Sequence, residues 1–73
     1  MHKYKIELVT MSDIVEFVSI ASAIDDDVML IDDNRCCVSG KSLLGAMATV
    51  EWGELYCVSD TDIYTKIEKY CVE

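Results

Sequence analysis

Residues Tyr4 to Thr10 alternate, with Tyr4, Ile6 and Leu8 on one side of an extended chain and Lys3, Lys5 and Glu7 on the other. This predicts a first strand with one wet face. From Ser12 to about Ile24 the period changes: Ile14, Val15, Phe17, Val18, Ala21 and Ile24 recur at three-and-four spacing, as in an amphipathic helix. Thr10, with Asp13 three residues on, has the form of a capping box at its start. The β-branched residues of this stretch weaken its local helix preference without changing the period.

Asp25, Asp26 and Asp27 break the pattern before Val28, Met29, Leu30 and Ile31, an apolar run too short for a helix and bounded by turn residues, hence a second strand. Asp32, Asp33 and Asn34 are turn formers, and Arg35 to Val38 return as a third strand to complete a hairpin. After Ser39 and Gly40, the stretch from Lys41 to about Val50 offers Leu43, Leu44, Ala46, Met47 and Val50, a short helix with one broad apolar side. Trp52 and Gly53 turn the chain, Glu54 to Ser59 alternates as a fourth strand, and Asp60 or Thr61 caps a last helix carrying Ile63, Ile67, Tyr70 and Cys71. The order β-α-β-β-α-β-α, with no repeat and no linker, predicts an α+β open sandwich: helices on one face of a mostly antiparallel four-stranded sheet, the other face meeting water at Tyr4 or Tyr56.

The chain has 73 residues, which is one domain, 1–73, with a thin core and no room for a cleft between domains. At 52% hydrophobic and 27% charged it is globular in composition. Its net charge of −8 repels a phosphate backbone and an anionic membrane, so nucleic acid and membrane are not expected partners. No apolar run is long enough for a bilayer span or a signal peptide, and the expected location is cytoplasmic. There Cys36, Cys37, Cys57 and Cys71 are expected to be reduced core or surface thiols.

The string Val38-Ser39-Gly40-Lys41-Ser42 ends like a phosphate-binding loop, but Arg35 stands where that motif needs its first glycine. The cysteines lack paired metal-ligand spacing: adjacent Cys36 and Cys37 point to opposite faces of a strand, and His2, the one histidine, is at a terminus expected to fray. No base stands near a Ser or Cys nucleophile, and Asp25–Asp27 and Asp32–Asp33 read as solvated turns at opposite ends of one strand. Neither an active site nor a cofactor or metal is expected. Ser42, at the first turn of a helix, has free N–H groups and a positive dipole end beside it that favour an added phosphate, although from physics alone an ordinary N-cap, at Ser42 or Ser39, is the better explanation.

The element order together with the string DVMLIDDNRCCVSGKSLLGAM resembles the HPr family, the phosphocarrier proteins of the bacterial phosphoenolpyruvate-dependent sugar phosphotransferase system. The similarity centres on Lys41-Ser42-Leu43-Leu44-Gly45 with Met47 after it, is weaker over Ile6–Thr10, Asp27–Val38 and Gly53–Ser59, and in order spans nearly the whole chain. The resemblance implies an open-faced sandwich of the order already read. Family members carry phosphate on a histidine in a Gly-x-His-Ala-Arg-Pro segment at the first helix, and the corresponding stretch here, Leu8 to Ile14, is shorter and holds no His, Arg or Pro. It also implies that Ser42, preceded by Lys41, is the target of HPr kinase/phosphorylase. Leu43, Leu44 and Met47 match the positions that dock phosphotransferase-system partners. Spacing sends Leu43 and Met47 to one side of the helix and Leu44 about a hundred degrees away, so at least one should be exposed. The expectation is an HPr-like, non-enzymatic binding or regulatory module gated at Ser42. Its alternatives are a phosphocarrier with an unusual acceptor and a structural domain with idle phosphosites.

Overall fold

The computed structural model describes residues 1–32 and 36–72. Asp33, Asn34, Arg35 and Glu73 lie outside the described residues, and with them the tip of the predicted hairpin and the predicted start of the third strand at Arg35. Along the chain follow β1 (His2–Ile6), α1 (Met11–Ser22), β2 (Val28–Ile31), β3 (Cys37–Ser39), α2 (Leu43–Ala48), β4 (Leu55–Ser59) and α3 (Tyr64–Ile67), with single 3-10 turns continuing α2 over Thr49–Glu51 and α3 over Glu68–Tyr70. The four strands form one antiparallel sheet in the order β1-β4-β2-β3.

Register decides which residues meet the helices. Tyr4 stands beside Cys57, Cys57 beside Leu30 and Leu30 beside Val38, so these share a face, as do Ile6 with Leu55 and Val28 with Ser59. This face builds the core with Ile14, Phe17 and Ala21 of α1, Ala46 of α2, and Ile63, Ile67 and Tyr70 at α3. Phe17, fully buried, meets the Tyr70 ring edge-on with centroids 5.8 Å apart. The alternate residues Lys3, Lys5, Met29, Ile31, Cys37, Ser39, Tyr56 and Val58 form the opposite face, which no described helix covers. Tyr56 therefore lies on the open face, whereas Tyr4 belongs to the helical side.

Several boundaries differ from the sequence reading. The first strand ends at Ile6, because the Asp13 carboxylate accepts the backbone N–H of Val9 (3.1 Å) and Thr10 (3.2 Å) and draws the chain into a turn. The Thr10 hydroxyl accepts from the Asp13 N–H at 3.1 Å, which completes the expected capping box. Helix α1 closes at Ser22, yet Ile24 beyond it still packs into the core. Helix α3 is capped neither by Asp60 nor by Thr61; the Asp62 carboxylate accepts the Tyr64 N–H instead, at 3.0 Å. The C-terminal segment then returns to β1: Glu7 donates to the Tyr70 carbonyl (2.9 Å), Val72 donates to the Lys5 carbonyl (3.0 Å), and Cys71 forms an isolated bridge with Ile6. That contact covers one end of an edge strand that would otherwise stand open.

Candidate functional site

The Ser39–Ser42 segment joins β3 to α2, and its polar groups are turned inward. Gly40 N–H donates to the Val28 carbonyl (2.6 Å), Lys41 N–H to the Ser39 hydroxyl (3.1 Å) and Ser42 N–H to the Ser39 carbonyl (3.2 Å). A phosphate-cradling loop needs such amides free and converging on one point. Here they close the connection. The Lys41 ammonium donates to the Ile24 carbonyl at 2.6 Å, tying the start of α2 to the end of α1.

Ser42 is the N-cap of α2. Its backbone is extended and its hydroxyl accepts the Gly45 N–H at 3.1 Å. Gly45 allows the close approach that follows, since a Cβ there would lie 3.2 Å from Val38 Cβ and 3.3 Å from the Ser39 carbonyl. With α2 pressed on β3 in this way, only Ala46 of the helix is buried. Leu43, Leu44 and Met47 are 41%, 80% and 40% exposed, and Val50 in the following turn is 65% exposed. Much of the broad apolar side thus faces solvent, and all three predicted docking residues are accessible, where the spacing required only one to be.

Two residues of α1 join them. Val15, assigned by spacing to the buried stripe, is exposed, as is Met11. In 100° steps Val15 falls well away from Ile14, Phe17 and Ala21, a signal present in the sequence that three-and-four counting blurs. Glu16 fixes which flank is which: its carboxylate accepts from the Tyr70 hydroxyl and pairs with Lys69, so α3 lies on that flank. Met11 and Val15 lie nearer the outward side, where with Ser12, Glu16 and Ser19 they line an open groove of about 460 Å³ along the helix. Lys41 holds the start of α2 at the end of α1, and beyond α2 Val50 shares a small cavity with Lys5–Leu8, the segment ahead of α1.

Electrostatics at this surface are local. The Lys69 ammonium and the Tyr70 hydroxyl hold the Glu16 carboxyl below its ordinary value, while burial and then Glu16 itself push the Tyr70 phenol up. His2 is far from the first helix's opening turn. It is the first residue of β1, not a frayed end, and pairs with Ser59, with its ring stacked on Tyr4 at 6.3 Å. Tyr4 in turn donates to Asp62 (3.0 Å) and accepts from Ile63 N–H (3.1 Å), so the histidine belongs to the cluster before α3.

The cysteines do not converge either. Burial pushes the Cys57 thiol up to about 12, whereas Cys36 and Cys37 are exposed and the Asp32 carboxylate raises the Cys36 thiol. Among the described residues no three His, Cys, Asp or Glu side chains are grouped to hold a metal ion, and no helix is long and apolar enough to cross a membrane. Where Lys5–Leu8 meets Thr49, Val50, Trp52 and Gly53 a cavity of about 130 Å³ remains, smaller than the usual cleft for a small-molecule ligand.

The sequence matches no family model and no curated protein, and the structure matches no solved structure.

Proposed function

We propose that this chain is an HPr-like binding or regulatory module without catalytic activity, which docks a protein partner through α2 and the exposed side of α1. One observation carries the reading: of the ten exposed large apolar side chains among the described residues, four, Leu43, Leu44, Met47 and Val50, fall on α2 and the turn that continues it, and Met11 and Val15 on α1 add to the exposed helical side. Scattered apolar residues are ordinary on a small protein, but a cluster marks a contact surface. The resemblance at Lys41–Gly45 and Met47 adds the class of partner, a phosphotransferase-system component or HPr kinase/phosphorylase. The position of His2, at the far end of β1 from α1's first turn, favours contact over phosphoryl relay.

Gating at Ser42 is the part of the proposal that rests on resemblance. A phosphate there would add about −1.5 to −2 charges beside the docking residues and could keep the acceptor that caps α2, altering a partner's fit without refolding the domain.

The test uses purified HPr kinase/phosphorylase with ATP. The expected result is phosphate on Ser42 by mass spectrometry, and binding that Leu44→Asp weakens at least about tenfold, since a charge at the centre of an apolar contact costs more than 1.4 kcal/mol. The variant should melt where the wild type does, because Leu44 is 80% exposed. Absence of both binding and phosphate removes the reading. So does acid-labile label on His2 after incubation with phosphoenolpyruvate and the general phosphotransferase enzyme.

A further inference from the structure

The cavity of about 130 Å³ brings together the end of β1, the turn that continues α2, the start of β4 and Val72. Ile6 and Leu55, both buried, and the half-buried Leu8 and Trp52 give it apolar walls. Gly53 leaves it open on one side, since a Cβ there would meet nothing within 4 Å. An apolar cavity of about 150 Å³ holds benzene, so this one admits a group of about five or six non-hydrogen atoms. Its polar side chains differ in what they can still do. Lys5 and Glu54 pair with each other at 3.8 Å, and Glu54 also accepts from the Tyr56 hydroxyl at 2.7 Å, so these two charges largely offset each other. The Glu7 carboxylate is exposed and enters no ion pair or hydrogen bond among the described residues. Thr49 is only 4% exposed; its hydroxyl donates to the Ala46 carbonyl at 2.7 Å, and its oxygen accepts from none of the described residues. What the lining side chains leave unused is therefore one negative charge and acceptor capacity, against a single neutral donor, the Trp52 indole N–H.

We propose that this cavity binds a primary ammonium group carried on a short aliphatic stem. The stem displaces water from Leu8, Leu55 and Trp52, and the three N–H donors of the ammonium meet the acceptors that Glu7 and Thr49 leave free. An indole is also the best aromatic partner for a cation. Charge selects the same sign: the lining side chains hold two carboxylates against one ammonium, in a chain of net charge −8. An alkylcarboxylate of equal size would meet the unpaired Glu7, and an alcohol would forgo the attraction. The same group is presented by a free small amine and by a lysine side chain of another protein. The site does not depend on the α2 docking reading, which uses none of Glu7, Thr49 and Trp52.

The experiment titrates the full chain at neutral pH and constant ionic strength with n-butylammonium, 1-butanol and butyrate, followed by the fluorescence of Trp52, the chain's one tryptophan, and by two-dimensional NMR. The expected result is a saturable change with butylammonium, with shifts at Leu8, Thr49 and Gly53, and binding about tenfold or more tighter than that of the alcohol or the carboxylate. Glu7→Gln should weaken it about tenfold, and Glu7→Lys should abolish it. Both substitutions replace an exposed side chain at a position whose backbone N–H, not its carboxylate, holds the Tyr70 carbonyl, and an unchanged amide spectrum elsewhere reports an intact fold. A blocked Ala-Lys-Ala tripeptide separates the two sources: tighter binding than butylammonium assigns the site to a lysine side chain, and equal or weaker binding assigns it to a free amine. No saturable change with either ammonium ligand, equal binding of butylammonium, butanol and butyrate, an unaltered affinity in Glu7→Gln, or shifts confined to Leu43, Leu44 and Met47 overturns the proposal.

Discussion

Gly40, in the segment that reads like a phosphate loop, makes a sharp stability test, because the structure gives the glycine a packing reason. Its φ lies outside the left-handed region, so alanine meets no backbone objection. What an added Cβ meets is substance: Val28 Cγ1 and the Val28 carbonyl at 3.0 Å each, and Phe17 Cε2 at 3.4 Å. The carbonyl is also the acceptor of Gly40's own 2.6 Å hydrogen bond, and Val28 and Phe17 are buried, so neither side yields easily. Overpacking of this kind costs about 1–3 kcal/mol, against about 0.4–1 kcal/mol gained because alanine restricts the unfolded chain. The net loss should lower the melting temperature by several degrees, at about 4–8 °C per kcal/mol for a domain of this size. Gly53→Ala is the control, for its Cβ would meet nothing within 4 Å and its φ is likewise not left-handed. The same methyl there should raise stability by about 0.4–1 kcal/mol. Thermal melts by circular dichroism read both signs, and a Gly40→Ala variant as stable as Gly53→Ala would show that the β2–β3–α1 contact is looser than described.

Other expectations follow from single groups. Ser42→Ala removes the acceptor of the Gly45 N–H and should cost about 0.5–2 kcal/mol, with Ser42→Asp close to wild type; equal melts for Ser42→Ala and wild type would remove its capping role. Glu16 has a carboxyl held below its ordinary 4.5 by Lys69 and Tyr70, so the stability it contributes is present above pH 4.5 and is lost as the pH falls through its lowered folded value. The difference in melting temperature between wild type and Glu16→Gln should therefore be largest near neutrality and shrink in acid, and growth of that difference in acid would contradict the assignment. Alkylation mapped by mass spectrometry should reach the exposed Cys36 and Cys37 in the native protein and Cys57 only on unfolding. Asp32→Asn should speed the reaction at Cys36, because Asp32 is the main cause of that thiol's raised value.

What the sequence made legible was governed by local chemistry. The Thr10–Asp13 box, the change of period after Thr10 and the alternation of Leu55–Ser59 each reflect bonds or faces within a few residues, and each stands in the structure. Readings that depended on distant partners were less exact. Val15 looked buried because a valine at helical spacing usually is, but the sheet and α3 take the other side of α1. The spacing left open which of Leu43, Leu44 and Met47 would be exposed; Gly45 and Ala46 are the contact points of α2, and all three larger side chains are left outside. His2 looked free at a terminus until pairing with Ser59 placed it in a strand. The exposure of Leu43, Leu44 and Met47 depended on how closely α2 could approach β3, which no periodicity encodes.

The start of α1 gives the strongest physical argument for a role through contact. In this turn the Thr10 hydroxyl is committed to the Asp13 N–H, and the Asp13 carboxylate takes the N–H groups of Val9 and Thr10. The donors that could steady a phosphoryl group are thus partly occupied, and the occupant is an anion that repels one. The imidazole that could accept phosphate lies at the opposite end of β1, roughly 14 Å along the strand from Ile6. A relay at this turn would require a histidine at the helix opening, removal of the Asp13 carboxylate and release of the amides it holds. Taken singly, the second and third steps dismantle a cap worth about 1 kcal/mol before any acceptor is gained. A domain committed in this way to a closed, capped helix start keeps its stability, and the contact role proposed for it then falls to its exposed apolar groups, Leu43, Leu44 and Met47 of α2 with Met11 and Val15 of α1.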